Sequence, residues 1–218
     1  TLPSSSNEFG NVYLDSEMRI SKLIEKPIGI QGNYVFAGVF LLQHQFLDTL
    51  EKNKFNMSLT FEDVIKSNKL KACLWEEGWI DMIYPWHILE ANSMLMKEWK
   101  EAKIDKSVKL KGQVQIEGPV IIKPNVTIES GSVIKGPCFI GQNTYIGNNV
   151  LLRSNTVLGP ESIIGYGCEL KNTVTFGKND IGRLSFLGDT VIGERTILGS
   201  GLTTVNRLPN QSQISCNI

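Results

Sequence analysis

The sequence predicts an α/β segment followed by an all-β parallel β-helix, and three observations carry that prediction. From Val108 to Asn179 it divides without remainder into twelve hexapeptides, among them VKLKGQ, VIIKPN, SVIKGP, TYIGNN, VLLRSN, CELKNT and VTFGKN. Ahead of that run lies a segment of different texture, in which strand-like alternation and helical spacing take turns. The 218 residues carry 22 basic and 22 acidic side chains, so no excess of charge points toward nucleic acid or an anionic membrane.

The first part is read in chain order. NVYLDSEMRISKLIEKP and NYVFAGVFLL alternate like strands, SLTFEDVIKSN reads as a capped helix, and EEGWIDM reads as a strand leading into a loop. From His87 to Ala102 the apolar residues Ile88, Leu89, Leu95, Met96 and Trp99 recur at helical spacing. The expected organisation is therefore a first domain over residues 1–86, a linker helix over 87–106 and the β-helix over 107–218.

In the repeat, the third place of every hexapeptide is a large apolar residue: Leu110, Ile116, Ile122 and onward to Leu170 and Phe176. The first place holds only Val, Ser, Cys or Thr. Places one and three of a strand share a face, so each hexapeptide is a short strand with one buried side. The fifth and sixth places collect Gly, Pro, Asn and Ser, which turn the chain. Such a unit buries its face only by stacking on neighbouring coils, with three hexapeptides to a triangular coil. The expected break in the beat lies at Asp180 to Asp189, within GKNDIGRLSFLGDTVIG.

Four cysteines (Cys73, Cys138, Cys168, Cys216) are widely spaced, with no CxxC pair, so zinc and disulfide frameworks are not indicated. Cys138 and Cys168 fall on different faces of a three-sided prism and read as small core residues. No apolar run approaches the roughly 20 residues that span a bilayer, and the expected compartment is a reducing cytoplasm. The chain opens on TLPSSSNEFG without an initiator methionine, which raises the expectation of a longer parent polypeptide.

In its LxG and IxG steps the repeat resembles the left-handed β-helix of hexapeptide acyltransferases. Over about residues 8 to 96, ISKLIEKP, NYVFAGVF and EEGWIDMIYPWHILEAN resemble the second half of sugar-1-phosphate nucleotidyltransferases, enzymes with a Rossmann-like α/β fold that join a sugar phosphate to a nucleoside triphosphate with Mg²⁺. By that resemblance Glu25 accepts hydrogen bonds from sugar hydroxyls, Lys26 neutralises the sugar phosphate, Tyr34 through Gly38 line the sugar pocket, and Asp81 holds Mg²⁺ between phosphates. Two plainer readings stay open: a solvated strand end at Glu25-Lys26-Pro27, and a turn beginning at Asp81. The glycine-rich basic loop that cradles nucleotide phosphates in that family has no counterpart here, so this chain alone is expected to lack nucleotidyl transfer.

The order of the two parts resembles bifunctional uridylyltransferase/glucosamine-1-phosphate acetyltransferases and their archaeal glucose-1-phosphate thymidylyltransferase relatives. The resemblance implies a homotrimer and an acetyl-CoA site in the β-helix. It matches Arg153, Glu169, Lys171 and Asn206 to positions that contact a sugar phosphate or orient catalytic groups. Arg183 stands where the family carries its proton-accepting histidine, and Phe186 where it carries a tyrosine. An imidazole titrates near pH 6.5, whereas a guanidinium stays protonated to above about pH 12, so an arginine cannot serve as the base. Arg183 either binds an anion or pairs with Asp180 or Asp189, and Glu169 is the one nearby carboxylate able to substitute. Three functions are weighed: part of a sugar-1-phosphate nucleotidyltransferase, an acetyl-CoA-dependent acetyltransferase acting on an amino-sugar phosphate, and a non-catalytic subunit or scaffold.

Overall fold

A computed structural model describes residues 9–24, 34–206 and 208 and divides into two units, 1–81 and 82–218. In the first unit β1 (Asn11–Leu14) pairs antiparallel with β2 (Ile20–Ile24) on one side and β3 (Tyr34–Val35) on the other. The strand expected across NYVFAGVFLL is only two residues long. Gly38 has φ +77, a backbone geometry that leaves the extended path. The chain then enters α1 (His44–Lys52), which the alternating pattern concealed. The expected capped helix is α2 (Met57–Lys66), and its cap is Asn56, whose side chain accepts from the Leu59 amide at 3.1 Å. Phe36, Phe40, Phe46 and Phe61 form an aromatic cluster beneath these helices, with ring centroids 5.4 to 6.3 Å apart. EEGWIDM forms no strand.

The second unit begins with α3 (His87–Met96), shorter than the stretch whose spacing suggested it. By Lys103–Ile104 the chain is already a strand, β4, and the coils follow. One face stacks β4, β7 (Val120–Ile122), β10 (Cys138–Ile140) and β13 (Thr156–Leu158), all parallel. A second stacks β5 (Lys109–Leu110), β8 (Thr127–Ile128), β11 (Tyr145–Ile146), β14 (Ile163–Ile164), β16 (Asp180–Ile181) and β18 (Ile197–Leu198). The third stacks β6 (Gln115–Glu117), β9 (Val133–Lys135), β12 (Leu151–Leu152), β15 (Glu169–Thr175) and β17 (Phe186–Ile192). This is a parallel β-helix. Its core is the column of third-place side chains, Ile122, Ile128, Ile134, Ile140, Ile146, Leu152, Leu158, Ile164 and Leu170, all fully buried. Cys138 and Cys168 are buried free thiols in that core.

The register corrects two expectations. Ile122 pairs with Ile140 and Ile140 with Leu158, a step of 18 residues, but Val157 pairs with Val174 and Ile164 with Ile181, a step of 17. One residue is missing, and it is missing at a corner. Between Leu152 and Thr156 the corner holds Arg153, Ser154 and Asn155, whereas between Leu170 and Thr173 it holds only Lys171 and Asn172. Thr175 therefore takes the third place, 1% exposed, and Phe176, expected inside, is 51% exposed. From Thr173 onward a fixed frame of six reads one residue out of phase. That is why Asp180 to Asp189 looks like an interruption. In the structure it is regular coil: β16 pairs in register with β14, and β17 with β15.

Candidate functional site

The shortened corner is where the chemistry collects. Three successive coils place Lys135, Arg153 and Lys171 one above another at steps of 18 residues, and the next coil adds Asp189. With Ser154, Asn155 and Asn172 they line a cavity of about 480 Å³. Asn155, Asn172 and Asp189 each hold a positive φ, of 63, 46 and 51 degrees. This conformation is tolerated best by short side chains that can bond their own backbone, and it lets the chain turn sharply here.

Asp189 is the hub. One carboxylate oxygen accepts from Asn172 Nδ2 at 2.7 Å, and the other accepts from Asn206 Nδ2 at 2.7 Å and from Lys171 Nζ at 3.5 Å. Burial pushes this carboxyl upward, but the two amide hydrogen bonds and the Lys171 charge outweigh it and hold the group below the usual aspartate value. Arg153 donates to Glu169 at 2.9 Å. Lys135 has no ion-pair partner among the described residues. The cavity wall thus carries three cations against the Asp189 carboxylate, with Glu169, outside the lining, paired to Arg153, and the excess of positive charge suits a phosphate.

Helix α3 packs on β15 and β17 beside this corner. Asn92 Nδ2 donates to the Asn155 carbonyl at 2.8 Å, and Asn155 Nδ2 reaches Ser93 Oγ at 3.4 Å. A second cavity, of about 540 Å³, is lined by Leu89, Glu90, Ser93, Met94 and Lys97 from the helix and shares Asn155 and Asn172 with the first.

Of the residues singled out from sequence, Arg153, Glu169 and Lys171 come together at this corner, and Asn206 joins them through Asp189. Arg183 does not. It lies in the turn between β16 and β17, at a different corner of the prism, where its carbonyl accepts from the Gly201 amide at 2.9 Å. Neither Asp180 nor Asp189 pairs with it among the described residues. Its backbone nitrogen would lie 2.5 Å from a Cβ placed on Gly165 in the coil beside it, which is why that place holds glycine. Lys135 and the hub role of Asp189 were missed. The signal was present, since from Lys135 onward the fourth place of every third hexapeptide reads Lys, Arg, Lys.

In the first unit, Tyr34, Val35, Phe36 and Ala37 border a cavity of about 280 Å³ whose walls are largely apolar, while Gly38 does not border it. Trp79 Nε1 donates to the Ala37 carbonyl at 3.2 Å. Asp81 is half-buried, in a stretch without regular structure. Among the described residues no three acids, histidines or cysteines group around a metal position. Asp81 thus offers a single carboxylate, a donor set that suits Mg²⁺ only when phosphate oxygens and water complete the shell. Glu25 and Lys26 lie outside the described residues.

Residues 3–98 match the family described as Nucleotidyl transferase, and residues 134–208 match the family described as GMPPB C-terminal domain. Residues 3–98 are thus similar to a nucleotidyl transferase, and the chain continues into the parallel β-helix described above. Among its relatives, "Bifunctional protein GlmU" of Methanocaldococcus jannaschii is 32% identical over 96% of this chain and 52% of its own length. The "Bifunctional sugar-1-phosphate nucleotidylyltransferase/acetyltransferase" of Sulfurisphaera tokodaii is 30% identical over 99% of this chain and 55% of its own. The chain spans about half the length of the curated relatives it matches. Among solved structures, a mutant perosamine N-acetyltransferase from Caulobacter crescentus aligns over 49% of each chain at a TM-score of 0.36 and 22% identity.

Proposed function

We propose that this chain is the C-terminal part of a sugar-1-phosphate nucleotidyltransferase, and that its β-helix corner binds the phosphate of a sugar phosphate. The observation that carries the second half of this reading is the stack of Lys135, Arg153 and Lys171 over one cavity. The family match of residues 3–98 and the names of the relatives support the first half. In the whole enzyme Glu25 takes the sugar hydroxyls, Lys26 the sugar phosphate, Tyr34 to Ala37 line the sugar pocket, and Asp81 supplies a carboxylate to Mg²⁺. The ion, when bound, neutralises phosphate charge as the nucleotidyl group is transferred. The test is pyrophosphate release from a nucleoside triphosphate and a sugar 1-phosphate by the polypeptide extended upstream. Asp81→Asn should cut turnover sharply, and undiminished turnover removes Asp81 from the mechanism.

Acetyl transfer is the second reading, favoured by the relatives' names. Both histidines of the chain, His44 and His87, precede the coils, and Glu169, the carboxylate able to act as base, is engaged by Arg153. General-base catalysis contributes about 10²- to 10⁴-fold, so thiol release from acetyl-CoA with glucosamine 1-phosphate should be very weak. Robust turnover lost only in Glu169→Gln would reverse that conclusion.

The β-helix assembles three copies in this reading. Support comes from the second face, where the exposed column Tyr145, Ile163, Asp180 and Ile197 is apolar at every place but Asp180 and lies beside the exposed Tyr166 and Leu184. Light scattering should return three times the 24.3 kDa chain mass, and a monomer at micromolar concentration would count against it. No helix among the described residues is long and apolar enough to cross a membrane, and the buried free thiols suit a reducing cytoplasm.

A further inference from the structure

We propose that the corner site holds a glycosyl phosphate in one orientation, its phosphate on Lys135, Arg153 and Lys171 and its sugar ring against helix α3, where Glu90 and Ser93 take the sugar hydroxyls. This rests on the reading of the corner as a phosphate site and adds the second half of the ligand.

The two cavities meet at Asn155 and Asn172, which line both, so a ligand seated in one has a wall in common with the other. Their walls differ in kind. The coil side carries three cations against Asp189. The helix side sets the Glu90 carboxylate against the Lys97 ammonium, with no net charge, and adds the Ser93 hydroxyl and the Met94 side chain. A phosphate carrying about 1.5 to 2 negative charges is drawn to the first wall, whereas the second, where Glu90 offsets Lys97, offers it no net attraction. A sugar ring asks for the opposite surroundings. Its hydroxyls donate well to a carboxylate and exchange hydrogen bonds with amides and hydroxyls, while its C–H face packs on an apolar side chain. Glu90 has no hydrogen-bond or ion-pair partner among the described residues and is exposed, so its oxygens are available. The contact of Asn155 with Ser93 is long, at 3.4 Å, and a sugar hydroxyl can replace it at little cost.

The experiment is calorimetric titration of the 218-residue chain with inorganic phosphate and, separately, with glucose 1-phosphate. Wild type should bind the sugar phosphate at least about tenfold more tightly than phosphate. The ratio of the two affinities should fall about 3- to 10-fold in a Glu90→Ala, Ser93→Ala double variant, the size expected for lost hydrogen bonds. Glu90→Gln, which keeps an acceptor, should recover part of it. Arg153→Ala should weaken both ligands together. If phosphate binds through Arg153 but the ratio is near one, or does not respond to the helix variants, the orientation is wrong and the anion site stands. If neither ligand binds, or binding ignores Arg153, the phosphate reading falls and the orientation with it.

Discussion

The coils from Ile122 to Leu170 step by 18 residues and those after Leu170 by 17, and the two kinds of coil keep their inward-facing places in step, with Thr175 filling a place that Ile or Leu fills in the longer coils. Within a strand, a one-residue slip would turn every side chain to the opposite face. At a corner it does not, because the turn absorbs the missing residue before the next strand begins. Thr156 and Thr173 occupy equivalent buried places, each with its one hydroxyl proton within reach of two backbone carbonyls. What changes is outside. In the longer coils the strands on either side of this corner are separate, two or three residues each, whereas β15 and β17 run seven residues straight through it. The tightened corner brings Lys171, Asn172, Asp189 and Asn206 within hydrogen-bonding reach. A deletion that keeps the inward-facing frame in step has thus drawn a polar network together on the surface.

If the interiors are equivalent, Ile146→Ala in a long coil and Leu187→Ala in a short one should each cost about 2–5 kcal/mol, since both side chains are fully buried. Urea unfolding monitored by circular dichroism measures this, and a much smaller loss for Leu187→Ala would break the equivalence. The two arginines at different corners give the next largest contrast. Arg153→Ala should lower phosphate affinity about tenfold, equivalent to about 1.4 kcal/mol, while Arg183→Ala should leave it within about twofold. Equal losses would mean that the tightened corner is not the anion site.

Asp189 tests the network itself. Its carboxyl titrates below the ordinary aspartate range in the folded chain, so its contribution to stability is present above the unfolded value near pH 3.9 and disappears as pH falls through the depressed folded value. Asp189→Asn should therefore flatten the acid side of the stability curve below about pH 4. Because the side chain is substantially exposed, the loss at neutral pH should be at most about 1 kcal/mol. An acid profile identical to wild type would show that the network adds no stability. The smallest effect is chemical. Burial pushes the Cys138 thiol up to about 12 and raises Cys168 as well, whereas Cys73 in the first unit is exposed. A thiol-specific disulfide reagent under native conditions should modify Cys73 and spare the two core cysteines. Rapid modification of Cys138 would mean that the long coils open readily.

Much of the β-helix was legible because each hexapeptide reports its own burial: a large apolar residue in third place, a small one in first and turn formers at the end. The first unit was less legible. Alternation in NYVFAGVFLL promised a strand, but strand length depends on partners, and only Tyr34 and Val35 find one. The residues from His44 to Lys52 become helix around Phe46, which packs on Phe61 of another helix, a long-range contact that no local pattern announces.

By itself the sequence determined the parallel stack, its inward column and the charge type at each corner, because all three repeat with the chain. Arg153, Glu169 and Lys171 could be named from it. Which cations share a cavity was decided only by tertiary structure, since that depends on counting residues around corners, and a corner can lose one without breaking the stack of coils. The same count moved Phe176 to the surface and put Thr175 inside. It made Asp189, in sequence a possible partner of Arg183, the acceptor that gathers Lys171, Asn172 and Asn206 from the coils above and below it.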